Sequence, residues 1–197
     1  MKVTVYKTQG EWDHDTPKMW VGGHFSVSNL SGGYHGLLKQ WWDKDFDKFK
    51  DCLLVSENAT VKKEFKSHYE TSNFKTLDFY ENMNEDVDLK YNLCQSWKDL
   101  NIETFDCIIC QATFEHLYDP VTALKNLTSI LKDQGRIYIH THVPGFEYHQ
   151  YPRDYFRFYP DWFFDAEEFV GNIELEELCV VDFHIFAAYV KKEKNNE

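Results

Sequence analysis

Apolar residues from about position 52 onward form short continuous runs separated by segments of mixed polarity. The runs have the length and the β-branched or aromatic content of strands. They lie at 52–55, 74–79, 87–93, 105–111, 136–143, 175–183 and 184–192. The third of these, 87–93, is more polar and contains a strand or an extended segment. Helical segments are predicted between them over 59–69 and 120–132, with a shorter helix near 165–171. Strands that alternate with helices predict an α/β domain whose sheet is mostly parallel and covered on both faces.

The segment after the fourth run carries the clearest helix signals. Asp119 suits the N-cap and Pro120 the first helical position. Leucines follow at spacings of three and four residues, which gives one apolar face. Lys132 is predicted in the last turn, and Gly135 is predicted as the left-handed residue that ends the helix.

Residues 1–50 follow no such alternation and are rich in Trp, Gly and His. A short helix over 34–42 is predicted, but no independent domain. We expect 1–50 to pack its aromatic side chains on the core, with a ligand lid as the alternative. The expected organisation is this segment, a main domain over 51–192 and a frayed tail over 193–197.

Composition excludes several function classes. The chain has 197 residues, 43% of them hydrophobic, and a net charge of -12, so a disordered chain is excluded and a nucleic-acid or anionic-lipid partner is not expected. No apolar run approaches a membrane span and the N-terminus carries no signal peptide. Five scattered cysteines suit a reducing compartment. These features predict a cytoplasmic protein.

A series of short motifs between 105 and 165 resembles one enzyme family. Phe105-Asp106 opens a buried strand, Glu115-His116-Leu117 follows its exit, Asp119-Pro120 opens a helix, and a turn ends at Gly135. The segment "PRDYFRFYPDWF" at 152–163 completes the series. In this order the motifs resemble class I S-adenosylmethionine-dependent methyltransferases that act on small molecules or glycans.

The resemblance implies a Rossmann-like methyltransferase fold. It has a mostly parallel, seven-stranded sheet with an antiparallel last strand and helices on both faces. The implied activity is transfer of a methyl group from S-adenosylmethionine to an oxygen or nitrogen of a small-molecule or glycan-like acceptor. One departure stands out. Where the family has an acid and then three glycines at alternate positions, this chain has Leu54 and then Ser56, Asn58 and Thr60.

The glycine-free loop leaves two interpretations open. S-adenosylmethionine carries no phosphate, so a phosphate-binding loop is not required, and Glu57 could pair with its cationic end. Alternatively, the domain has lost its cofactor and serves as a non-catalytic binding module. A nicotinamide-dependent enzyme is a weaker third possibility, because Glu57 would repel a pyrophosphate. The predicted cofactor-binding residues are Ser56, Glu57, Asn58, Asp78, Asn92 and Gln111.

Among these, Asp78 lies at the end of the second predicted strand, where this fold places the acid that binds ribose hydroxyls. Asn92 replaces an Asp that meets the adenine amino group, and an amide carbonyl accepts the same hydrogen bond. Methyl transfer to a hydroxyl also needs a base, for which neutral histidine is suited. His116 and His142 are the candidates, with a packing role as the alternative for His116.

The loop after the fifth run is predicted to face the acceptor through Arg153, Asp154, Tyr155 and Arg157. Its two arginines suit an anionic or hydroxyl-rich acceptor, or else they hold the loop against the domain. His140, His142 and His149 suggest a metal site, but no acid or cysteine near them in sequence completes a ligand set, so none is expected. "CIIC" at 107–110 is interpreted as two core cysteines, because strand positions three apart face opposite sides.

Overall fold

The computed structural model describes residues 2–6, 46–79, 86–181 and 183–193. Over these ranges the chain forms eight strands and three α-helices, with single 3₁₀ turns at Phe46–Lys48 and Phe114–His116. In chain order they are β1 (Lys2–Tyr6), β2 (Asp51–Val55), α1 (Ala59–His68), β3 (Asn73–Asp78), β4 (Leu89–Lys90), β5 (Phe105–Gln111), α2 (Pro120–Ser129), β6 (Leu131–His142), α3 (Pro160–Val170), β7 (Ile173–Val181) and β8 (His184–Lys191). The helix predicted at 34–42 lies outside the described residues.

All the strands belong to one sheet, in the order β1-β7-β8-β6-β5-β2-β3-β4. Strand β8 is antiparallel to both of its neighbours, β6 and β7, and the other pairs are parallel. The seven predicted strands are therefore present, with the predicted antiparallel last strand. The sequence did not predict β1, which adds an eighth strand beside β7 from within the N-terminal segment.

Apolar side chains are buried on both faces of the sheet. One face packs against α2 and α3, whose inward positions include Leu124, Leu127 and Phe163. The other face packs against Phe65 of α1. Helices on both faces, as predicted, cover the parallel strands and leave ligands access at the carboxyl ends of those strands.

The predicted end of α2 was wrong. The helix ends at Ser129, and the chain enters β6 at Leu131. Gln134, not Gly135, has the left-handed backbone, at φ 61°. Gly135 is needed for space, because a Cβ there would lie 2.8 Å from the Lys132 carbonyl oxygen and 2.9 Å from that of Asp106. Lys132 binds two carboxylates, Asp51 at 2.9 Å and Asp106 at 3.1 Å, instead of a helix end.

The interpretation of "CIIC" as core cysteines is confirmed. Cys107 and Cys110 are both buried, and they pack in the clusters on opposite faces of the sheet. Burial raises the pKa of the Cys110 thiol, which keeps it protonated and unreactive. Within the described ranges, no helix is long and apolar enough to cross a membrane.

Candidate functional site

A cleft opens at the carboxyl ends of the central strands. The chain leaves β2 toward β3 on one side and leaves β5 toward β6 on the other, so the two loops diverge between these neighbours. In open α/β sheets such a divergence is where ligands bind. Four of the predicted site residues line the cleft: Ser56, Asp78, Asn92 and His116.

The loop after β2 takes the shape that glycine normally allows. Ser56 has a left-handed backbone at φ 60°, and its N–H donates to the Leu77 carbonyl at 2.7 Å. Asn58 is the N-cap of α1, and its Oδ1 accepts from the N–H groups of Thr60 and Val61 at 2.8 and 3.0 Å. The side-chain oxygen of Asn58 is thus used in capping, and Asn58 is not among the lining residues.

Glu57 is the acidic residue between them. Burial, together with the negative charges of Asp78 and Glu64, raises its pKa to about 7. Its charge also contributes to the raised pKa of Cys110, so Glu57 lies near the ends of both β3 and β5. A half-buried carboxyl beside another acid favours a cationic ligand, because a positive charge would relieve the repulsion.

Asp78 and Asn92 lie on the other side of the cleft, after β3 and β4. The N–H of Phe79 donates to Asp78 Oδ1 at 2.6 Å, which fixes the carboxylate at the rim. Asn92 Oδ1 accepts from the N–H of Cys94 at 2.9 Å and keeps a second lone pair for a ligand. Gln111 at the end of β5 does not line the cleft.

Aromatic residues that the sequence analysis did not single out form much of the wall. Phe79, Tyr91, Tyr118 and Tyr151 line the cleft. Tyr118 and Tyr151 are more than half exposed, although large apolar side chains usually pack inside. Flat exposed rings around a cleft suit a planar ligand such as a nucleobase. In the sequence these residues look like ordinary loop aromatics, so no local signal identified them.

His116 has a defined orientation in the cleft. Its Nδ1 bonds to the carbonyl oxygen of Arg153, and a carbonyl can only accept, so Nδ1 carries the hydrogen. In the neutral ring the lone pair is therefore on Nε2. His142, the other predicted base, is buried and does not line the cleft. The structure thus favours His116 over His142 as a group that reaches a ligand.

Behind His116 lies a cluster that sequence reasoning missed. The side chain of Glu115 is 0% exposed, and its Oε1 lies 2.7 Å from His142 Nδ1, 3.7 Å from His149 Nε2 and 3.9 Å from His116 Nε2. Thr141 donates to Oε2 at 2.6 Å. Burial alone would raise the pKa of Glu115, but His142 and Thr141 outweigh it and lower the pKa.

The predicted acceptor residues serve mainly to hold their own loop. Arg157 Nη2 donates to Asp154 Oδ2 at 2.6 Å and to the Glu147 carbonyl. This pairing lowers the pKa of Asp154 to about 2. The Tyr155 N–H donates to the Glu115 carbonyl at 2.8 Å, and Arg153 provides the carbonyl that holds His116. The loop residues that line the cleft are Tyr151 and Pro152 instead.

Comparison with known proteins agrees with this geometry. A model of the methyltransferase domain family matches residues 40–173. Among solved structures, a SAM-dependent methyltransferase from Archaeoglobus fulgidus matches with a TM-score of 0.59 at 14% identity, over 79% of this chain and 92% of that chain. A SAM-dependent methyltransferase from Aquifex aeolicus gives 0.57 at 19% identity, over 77% and 88%. No curated protein matches the chain.

A third similar structure is the N-terminal domain of EvdMO1 in the presence of SAH and D-fucose, with a TM-score of 0.56 at 15% identity over 88% of each chain. At such identities the likeness shows the fold alone, but the family match covers well over half of the sequence. The chain belongs to the methyltransferase domain family. The family match and these structures confirm the prediction of a class I methyltransferase with S-adenosylmethionine as its cofactor.

Proposed function

We propose that this protein binds S-adenosylmethionine in the cleft after β2, β3 and β4 and transfers its methyl group to an oxygen or nitrogen of a small-molecule or glycan-like acceptor. The observation that carries the proposal is the pair Asp78 and Asn92, which line this cleft; Glu57 lies near Asp78 but is not among the lining residues. Near them, Ser56 has a left-handed backbone, which glycine adopts readily, at the position where the family has its first glycine.

The residues present fit the cofactor in chemical type. Asp78 would accept hydrogen bonds from the ribose hydroxyls, and Asn92 with the aromatic wall would hold the adenine. Glu57 would face the cationic methionine end, whose positive charge favours the ionised carboxylate. Asn58 would act indirectly, by capping the start of α1 next to the cleft. Gln111 does not line the cleft.

Proton removal from a hydroxyl acceptor is assigned to His116. The cofactor supplies a methyl group that its sulfonium has already activated. His116 Nε2 has the lone pair to take the acceptor proton as the new oxygen–carbon bond forms, because Nδ1 is committed to the Arg153 carbonyl. A sugar acceptor is supported by the similar EvdMO1 domain, whose structure was obtained with D-fucose.

The test is calorimetric titration with S-adenosylmethionine and its demethylated product. Wild type is compared with Asp78→Ala and with Asp99→Ala, which alters an exposed acid away from the cleft. We expect micromolar binding that Asp78→Ala weakens at least about tenfold, the loss of one charged hydrogen bond, while Asp99→Ala binds as wild type does. Folding of each variant is checked by circular dichroism.

A non-catalytic binding module is the second candidate, and the loop favours it in one respect. The family's third glycine position is occupied by the β-branched Thr60, which lies in the first turn of α1. Absence of heat up to millimolar cofactor from folded protein would establish this candidate and overturn the proposal. Binding without methyl transfer across an acceptor panel of sugars, carboxylates and amines would also favour it.

A further inference from the structure

Glu115, His116 and His149 bring three ligand atoms to one point beside the cleft. Each residue contributes one ligand atom, and these three atoms all lie within 4.8 Å of one another. Glu115 Oε1 is 3.9 Å from His116 Nε2 and 3.7 Å from His149 Nε2. The three residues come from the turn after β5 and from the loop after β6, which are far apart in the sequence.

Glu115 Oε1 is the unusual atom of this group. It is buried, and it accepts no hydrogen bond from any described residue. His142 Nδ1 lies 2.7 Å away but outside hydrogen-bonding alignment, so that contact is electrostatic. The charge of His142 helps to keep the carboxylate ionised, but Oε1 still makes no hydrogen bond within the described part of the chain, and a buried ionised oxygen in that state favours a bound cation.

His116 is oriented as a metal-binding histidine usually is, and His149 directs its Nε2 toward the same carboxylate. His116 bonds through Nδ1 to the Arg153 carbonyl, which turns Nε2 toward Glu115. His149 places Nδ1 3.5 Å from Asp154 Oδ2 and Nε2 toward Glu115. Asp154 is itself fixed by Arg157. An outer hydrogen bond of this kind fixes the tautomer of His116 and directs its remaining nitrogen at a metal, whereas His149 Nδ1 makes no hydrogen bond to a described residue and Asp154 holds the His149 backbone N–H instead.

We propose that Glu115, His116 and His149 form a binding site for a divalent transition metal ion, with zinc as the ion of choice. Two imidazole nitrogens and one carboxylate oxygen are a donor set that suits zinc, cobalt or ferrous iron. Tetrahedral coordination at about 2.0–2.1 Å places ligand atoms about 3.4 Å apart. The two distances to Glu115 Oε1, 3.7 and 3.9 Å, need to contract by a few tenths of an ångström, and the ligand atoms of the two histidines, within 4.8 Å of each other, must draw together by rotation of the partly exposed His149 side chain.

Three protein ligands leave a fourth position open, as in catalytic metal sites. His116 also lines the cleft, so the open position lies beside the space in which an acceptor would meet the cofactor. A hydroxyl bound there would have its pKa lowered by the ion. His116 cannot bind the ion and accept a proton through the same lone pair, so in the metal-loaded protein the ion replaces it in activating the acceptor. This role rests on the proposed function, whereas metal binding itself does not.

A neighbouring group provides the internal control. His140, His142 and His184 also place ligand atoms within 4.8 Å of one another, on β6 and β8. His140 Nε2 lies 2.9 Å from His184 Nδ1, a contact that suits a hydrogen bond between the rings. Substitution of His184 should therefore leave the proposed site intact, while substitution of His149 should remove one of its ligands.

The experiment uses untagged full-length protein, stripped with a chelator and then titrated with Zn²⁺ and, separately, with Co²⁺. Wild type is compared with Glu115→Gln, His149→Asn and His184→Asn. The readouts are calorimetry, metal content by mass spectrometry and the visible absorption of four-coordinate cobalt. We expect one ion per chain, bound at least about 100-fold more weakly by His149→Asn and unchanged in His184→Asn.

Glu115 is buried, so Glu115→Gln is interpreted only if it folds; His149, at 33% exposure, keeps the test decisive. The proposal is overturned if wild type binds no stoichiometric ion. It is equally overturned if His184→Asn loses the ion while His149→Asn keeps it, which would place the ion in the other group. Cofactor titration of the same samples separates the two conclusions, because cofactor binding without metal binding leaves the proposed function standing.

Discussion

Glu57 lies two residues after the end of β2, and Asp78 is the last residue of the neighbouring parallel strand β3. Burial and the negative charge of Asp78 together raise the pKa of Glu57 to about 7. The two acids lie close enough for Asp78 to add to burial in raising the pKa of Glu57, although of the two it is Asp78 that lines the cleft. The relationship is explained if the cleft receives a cation, because the ligand then converts the repulsion into binding energy.

Cofactor affinity should therefore depend on pH through Glu57. As pH rises from about 5.5 to about 7.5 the carboxyl loses its proton, and attraction for a cationic ligand increases. We expect wild-type affinity for S-adenosylmethionine to rise over this range and that of Glu57→Gln to change much less. Calorimetry in buffers of different ionisation enthalpy should show proton release in wild type alone. Identical pH profiles would contradict a role for Glu57.

Folding stability should show the opposite dependence in the free protein. The pKa of Glu57 is about 7 in the folded protein, against an ordinary glutamate value of 4.5, so the folded state binds a proton more tightly than the unfolded chain does. Protonated Glu57 therefore contributes to the free energy of unfolding in full below about pH 4.5, and this contribution is lost as pH rises through about 7. We expect Glu57→Gln to be more stable than wild type by about 1–2 kcal/mol at pH 8 and similar at pH 5, measured by urea denaturation. Glu70→Gln, at an exposed position, is the control.

Ser56 should tolerate glycine and resist a branched side chain. Its left-handed backbone, at φ 60°, is strained for serine and free for glycine. We expect Ser56→Gly to change stability by no more than about 1 kcal/mol and to keep its cofactor affinity, and Ser56→Val to lose about 1–2 kcal/mol. Urea denaturation and calorimetry measure the two effects. A stable Ser56→Val would mean that the loop has another conformation.

Asn58 should matter to the helix and little to the ligand. Its Oδ1 accepts two N–H groups at the start of α1. We expect Asn58→Ala to lower the free energy of unfolding by about 0.5–2 kcal/mol, and Asn58→Asp to restore most of it because aspartate caps equally well. Cofactor affinity of folded Asn58→Ala should stay within about threefold of wild type. If Asn58→Ala lost cofactor affinity without losing stability, Asn58 would contact the cofactor directly, as the sequence analysis predicted.

Gly135 should be intolerant of alanine because of space alone. An added Cβ would lie 2.8 and 2.9 Å from two backbone oxygens, which cannot move independently of the sheet. We expect Gly135→Ala to destabilise by about 1–3 kcal/mol, measured by thermal or urea unfolding. Gly171→Ala is the comparison, since its φ of +70° is unfavourable but nothing lies within 4 Å of the new Cβ. Its cost should be nearer to about 1 kcal/mol.

The sequence determined the framework of this protein. Continuous apolar runs predicted the central strands such as β2 and β5, because a strand buried on both faces needs such a segment, and Asp119-Pro120 predicted the start of α2. The positions of Ser56, Asp78 and Asn92 in the cleft followed from the fold, since residues that end parallel strands meet at one edge.

Only the tertiary structure revealed that His142 and His149 lie beside Glu115. Glu115 lies far along the chain from His142 and His149, and only the pairing of β5 with β6 brings them within 4 Å. The end of α2 was decided in the same way, because Lys132 binds Asp51 and Asp106 across the sheet instead of completing a helix turn. Local patterns report which residues are buried, whereas contacts between distant segments depend on strand register, which no local pattern contains.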